Sequence, residues 1–165
     1  MASVTFAEST FRQITDGLLK EDIKSLRKAE KALGGEKDLL KRVRRRQMLA
    51  MRRIDRNLAL EKNTWFHLGS NSSEQMMYCL KRMCEPCKEH VDNNFNPLPA
   101  ECAEEFVPIR DMLKSLLERT KDIIDKGNYE EADLVLAEGE ELKTCLSRLH
   151  KMRIERMQEE NSSVK

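Results

Sequence analysis

The sequence predicts an all-α protein, an antiparallel bundle of about five helices. Three observations predict it. Apolar residues recur at spacings of three and four along the 165 residues, and no segment alternates with period two. Charged residues make up 36% of the chain and aromatic residues only 5%, the composition of amphipathic helices with a solvated face. Six Gly and four Pro are too few for a loop-rich β-sandwich or a Pro-rich tether.

The elements follow in order. Phe6 to about Leu19 carries Phe11, Ile14 and Leu18 on one stripe, and Asp22 to Leu33 continues with Ile23, Leu26, Ala29 and Leu33. Gly34-Gly35 is expected to end or bend that helix, because glycine is costly inside one. Glu36 to about Leu60 reads as the clearest helix of all, with Leu40, Val43, Gln47, Met51, Ile54 and Leu58 stepping by three or four. Asn63 to Ser73, centred on Gly69-Ser70-Asn71-Ser72-Ser73, reads as irregular, with Ser72 or Ser73 as a cap for the next helix. That helix aligns Met76, Leu80, Met83, Cys87 and Val91, and Pro86 is expected to kink it or mark its last turns. Residues 93–99 form a loop by composition. Glu101, Glu104 and Glu105 open a helix at its positive end, its stripe running from Phe106 through Ile109, Leu113 and Leu116 to Ile123 and Ile124 and its end at 125–128. A last helix from Tyr129 carries Val135, Leu136, Leu142, Leu146, Leu149 and Met152, and gives way near Gln158 to a polar tail, 159–165. The whole is expected to be one domain, 1–165.

The longest apolar run, Met76 to Leu80, falls far short of the ~20 residues a membrane span needs, and no signal peptide is evident, so a cytoplasmic, soluble chain is expected. Five cysteines in such a chain are expected to be reduced thiols. Cys84-Glu-Pro-Cys87, with His90 close by, is the sharpest metal candidate. A structural zinc site takes four ligands, and no second CxxC or HxxxH completes this one, so no metal and no cofactor is expected. Cys87 also falls on an apolar helix face, where free cysteine is an ordinary core residue. The three histidines are scattered, and there is no G-x-S-x-G, no glycine-rich phosphate loop and no H-E-x-x-H; the expectation is a protein that is not an enzyme.

The net charge of +1 conceals a strong asymmetry. Residues 36–62 hold ten Lys/Arg against four acids, whereas 101–145 hold thirteen acids against six bases. A basic face comprising Arg42, Arg45, Arg46, Arg52, Arg53 and Arg56 is the strongest charge feature. It suits the phosphates of nucleic acid or an anionic membrane surface. No aromatic residue is interleaved to stack bases, and a solvated helix face paired with acidic neighbours accounts for the same charges, so nucleic acid is not favoured.

From Cys84 to Leu98 the chain reads C-E-P-C-K-E-H-V-D-N-N-F-N-P-L, with Pro86, His90, Val91, Asp92, Asn93, Asn94 and Pro97 at fixed places. This block resembles a segment of the PhoU-like C-terminal cytosolic domain of bacterial (Bacteroidetes-type) sodium/phosphate cotransporters. Thr64-Trp65-Phe66, Tyr78 to Arg82 and Lys151 to Met157 look like neighbouring helices of that family. The resemblance covers the chain from about Asp22 onward. It implies a PhoU-like fold of one and a part three-helix repeats: a first repeat at 6–95, a partial second at 100–158, and a final helix beyond Lys165. It also implies a non-catalytic regulatory or structural domain of phosphate symport, acting through protein–protein contacts at the inner face of the bacterial inner membrane. The partner would be the membrane-embedded transporter part, in the same or a neighbouring chain. An absent sixth helix would leave a groove that invites a homodimer. His90, Asp92, Asn93 and Asn94 are the binding candidates of this block, although Asn/Asp turn chemistry at a helix end accounts for the same residues. The family's acidic metal-cluster motif is not matched here, so its metal does not carry over. A free-standing adaptor that binds nucleic acid or a signalling partner through 41–56 is the alternative.

Overall fold

A computed structural model describes residues 2–53, 56–93 and 96–163, with side chains described at 4–53, 60–93 and 96–158. Among them the structure is all-α, without a strand: α1 (Ala2–Leu19), α2 (Ile23–Met51), α3 (Arg56–Asp92), α4 (Ala100–Lys126) and α5 (Ala132–Ser163), with a short 3₁₀ turn at Tyr129–Glu131. They form two compact units, the three-helix bundle Ala2–Pro97 and the helical hairpin Leu98–Lys165. Among the described residues no helix is long and apolar enough to cross a membrane.

The junction between α1 and α2 is built from local chemistry. The Asp22 amide donates to the Gly17 carbonyl (2.8 Å) and the Glu21 amide to the Leu18 carbonyl (3.2 Å), with Glu21 in the left-handed region at φ 53°. These are the paired bonds of a Schellman turn, which satisfies two of the carbonyls left over at the end of α1. Asp22 then caps α2. Its Oδ1 accepts the amides of Lys24 (3.0 Å) and Ser25 (3.2 Å), and its Oδ2 accepts the Ser25 hydroxyl (2.7 Å). Those three hydrogen bonds hold the Asp22 carboxyl below its ordinary pKa, the Ser25 hydroxyl most of all.

The core of this unit joins Ala7, Phe11 and Ile14 of α1 to Leu26, Ala29 and Leu33 of α2 and Met77, Leu80 and Cys84 of α3. Burying these apolar side chains is the main source of its stability. Thr15 is also buried, and its hydroxyl donates back to the Phe11 carbonyl at 3.0 Å, so the polar atom is satisfied inside its own helix. Three ion pairs set the α2–α3 register: Arg27 with Asp92 (2.7 Å), Glu30 with Lys88 (2.8 Å) and Arg44 with Glu74 (3.0 Å). Numbers rise along α2 as they fall along α3, so the two helices run antiparallel.

Several sequence expectations are corrected. The helix expected at 36–60 is broken: α2 ends at Met51 and Arg52-Arg53 form a turn before α3 begins at Arg56. Gly34-Gly35 neither ends nor interrupts α2, and 63–73 is helical rather than irregular. There the Thr64 hydroxyl bonds the Leu60 carbonyl (3.1 Å) and the Ser73 hydroxyl the Gly69 carbonyl (2.9 Å). These side chains join the helix instead of capping or unwinding it. Pro86 lies inside α3, less than two turns from its end, with no amide proton to give the Arg82 carbonyl. The polar stretch after Gln158 stays helical as far as Ser163.

In the second unit α4 starts directly after Pro99 and ends at Gly127, which takes the left-handed conformation (φ 68°) as its amide bonds the Ile123 carbonyl. Ile123 and Leu142 are its buried apolar residues among those described. Arg119 pairs with Glu138 (3.2 Å), and Glu105 receives Arg156 (2.6 Å) and Arg153 (3.8 Å), so α4 and α5 are antiparallel.

Candidate interaction surface on the α2–α3 arm

At 1.5 Å per residue α1 is about 27 Å long, α2 about 43 Å and α3 about 55 Å. The third helix therefore covers only the base of the α2–α3 hairpin. The buried residues of α2 end at Leu33, and every residue from 41 to 50 is exposed. Beyond the core the hairpin projects as a two-helix arm. The stripe Leu40, Val43, Gln47, Met51, Ile54 and Leu58 that marked the helix expected at 36–60 is not a buried one among the described side chains. Val43 is 40% exposed and Gln47 exposed, Leu40 and Met51 are only half-buried, and the side chains of Ile54 and Leu58 lie outside the described residues.

A cleft of about 1190 Å³ opens along the arm between α2 and α3. Its floor is apolar, with Leu33, Leu40 and Met48 facing Met77 and Tyr78. Its rims carry Lys37, Lys41, Arg44 and Arg45 on α2 and Lys81 and Arg82 on α3, against Glu30, Glu74 and Glu85, so the lining is net positive. The Arg82 guanidinium lies 5.7 Å from the centre of the Tyr78 ring, a cation–π distance that holds both side chains at the mouth. Periodicity reveals the half of the cleft on α2, where Leu33, Lys37, Leu40, Arg44 and Met48 follow at three and four. It does not reveal that a third helix leaves this side open.

The basic-face arginines divide. Arg45 lines the cleft, whereas Arg42 and Arg46, four residues apart, share a different face of α2; Arg52 and Arg53 are exposed at the arm's turn. The side chain of Arg56 lies outside the described residues.

The residues of the 84–98 block are placed as follows. Asp92 is held by Arg27 across the helix pair, so part of its capacity already joins α2 to α3. The Asn93 amide donates to the Glu89 carbonyl at 3.1 Å, His90 is half-buried in the last turn of α3, and Asn94 lies outside the described residues. Cys84, not Cys87, is the deeply buried cysteine. Its thiol donates to the Leu26 carbonyl at 3.7 Å, and burial raises its pKa. Cys87 is half-buried, and burial, with the neighbouring Cys84 next in importance, pushes its thiol up to about 11. A metal would have to displace protons from both sulfurs. Among the described residues no three His, Cys, Asp or Glu side chains converge as a ligand set.

Fold and surface together describe an all-α chain whose α2–α3 arm carries an open cleft. Set against known proteins, the chain matches no family model, no curated protein and no solved structure.

Proposed function

We propose that the chain is a non-catalytic regulatory or structural module that works through protein–protein contact. The observation that carries this reading is the α2–α3 cleft, whose apolar floor and net-positive rims suit an amphipathic helix bearing acidic residues beside its apolar stripe. The resemblance of the 84–98 block supplies the setting: a PhoU-like domain at the inner face of the bacterial membrane, accompanying sodium-dependent phosphate transport, with the membrane-embedded transporter as partner.

Co-purification of the chain with the membrane part of a sodium/phosphate cotransporter tests it, together with sodium-dependent phosphate uptake in cells lacking these residues. Charge reversal at Lys41 and Lys81, which line opposite walls of the cleft, is expected to abolish the contact and to alter uptake as the deletion does. Association that survives both reversals would remove the cleft from the mechanism. Uptake and its regulation unchanged by the deletion would remove transport.

A further inference from the structure

Past the Arg44–Glu74 pair the arm continues to its turn, and there its surface changes character. Trp65 is 70% exposed, Leu60 63%, Leu68 56% and Leu49 53%. Single exposed apolar groups are ordinary on a folded chain, but these four stand on the part of the arm beyond its core, beside a set of charges that lacks ion-pair partners among the described residues. The charges around them are almost all of one sign. Arg46, Arg52, Arg53 and Lys62 stand against Glu61 among the described side chains, and the three arginines have no ion pair with a described residue. On α2, Arg46 and Leu49 share one face at a spacing of three, and Arg52 and Arg53 follow in the turn.

We infer that this tip is a docking site for an anionic lipid bilayer. The cleft suits a helix, whereas Leu49, Leu60, Trp65 and Leu68 lie outside its lining. A surface that combines Trp, Leu and Arg matches the boundary between headgroups and acyl chains. The indole ring sits at headgroup level, leucines reach the acyl region, and arginine stems lie along apolar surface with their charged ends on lipid phosphates. The positive charge selects anionic over zwitterionic headgroups. The arm thereby touches the membrane at its end while its cleft stays free in water, and the tip's role does not depend on the transport reading.

Trp65 is the protein's one tryptophan, so its emission reports on the tip alone. The full chain is titrated with vesicles of phosphatidylcholine and of phosphatidylcholine with phosphatidylglycerol, reading Trp65 emission and co-sedimentation. The expected result is binding and a blue shift with anionic vesicles only, weakened by salt. Arg46→Gln with Arg53→Gln is expected to lower partitioning about 25-fold, about fivefold for each arginine. Quenching of Trp65 by bromine-labelled lipid in the unaltered protein needs no variant. Absent quenching, equal binding to uncharged vesicles, or arginine variants that fold and bind unchanged would each overturn the inference. So would binding to single-stranded RNA with no response of Trp65 to lipid, which would assign the same arginines to nucleic acid.

Discussion

Replacing Gly17 with alanine probes a close approach of α1 to α2. A β-carbon at Gly17 would stand 2.9 Å from Leu26 Cγ, 3.0 Å from Leu26 Cδ2 and 3.5 Å from the Asp22 carbonyl oxygen. Leu26 is fully buried, and Cγ is the branch point of its side chain, not a free end. Two effects oppose. Alanine in place of a helical glycine gains roughly 0.5–1 kcal/mol from backbone entropy. Forcing an extra methyl into a packed contact costs about 1–3 kcal/mol. The second prevails, because the contact is with the branch point of a buried side chain, for a net loss of up to about 2.5 kcal/mol. Leu26→Ala alone should cost about 3–5 kcal/mol, the range for a buried leucine. In the double variant the new methyl enters space the leucine has vacated, so the combined loss should fall short of the sum by about 1 kcal/mol or more. Native-state hydrogen exchange of α1 and α2 peptides reads all three variants within the three-helix unit, apart from the α4–α5 hairpin. Stabilisation by Gly17→Ala, or strict additivity with Leu26→Ala, would show that α1 does not approach Leu26 as closely as these distances require.

Glu21→Gly should stabilise the same unit by up to about 1 kcal/mol, since Glu21 holds the left-handed position of the Schellman turn where glycine has no Cβ conflict; a lower melting temperature would count against that turn. Asp22 gives a pH signature. Its folded-state pKa lies below the ordinary 3.8, so its contribution is complete above that value and is lost as pH falls through the lower, folded-state value. The melting-temperature gap between wild type and Asp22→Asn should therefore be constant near neutral pH and close in acid; a gap that widens in acid would reverse the assignment. The cysteines should alkylate in a fixed order, exposed Cys79 first, Cys87 more slowly because its thiolate is scarce, and buried Cys84 last; mass spectrometry of iodoacetamide-treated protein reads the order, and early labelling of Cys84 would contradict its burial.

What the sequence makes legible is what local chemistry decides. The stop at Gly127 and the start after Pro99 can be read because glycine and proline restrict the backbone in known ways. Misreadings occur where the decision is not local. Residues 36–60 are strong helix formers throughout, and nothing in their composition marks the turn at Arg52-Arg53. Conversely 63–73 looks like a loop, yet its hydroxyls find helix carbonyls, and the stretch is carried as part of a helix anchored lower down by Met77, Leu80 and Cys84. The candidate surface divides in the same way. The charge of Arg42, Arg46 and Arg53 is plain from sequence. An amphipathic stripe shows which residues share a face, not whether another helix covers it, so the exposure of Val43, Leu49 and Trp65 becomes visible only in the packed structure.

The ion pairs along α2 and α3 give the arm a unit of length. Glu30 to Arg44 and Lys88 to Glu74 are each two heptads, so the two helices keep the same mutual facing over that interval. Removing one heptad from both helices would draw the tip about 10 Å toward the core without turning it. Removing three or four residues would shift it about half as far and leave the paired faces out of phase. The arm is in this sense a graduated spacer. Its reach can change in whole heptads while its orientation is retained, and a partner bound at the base and a surface touched at the tip would be held at a distance set by how many heptads lie between them.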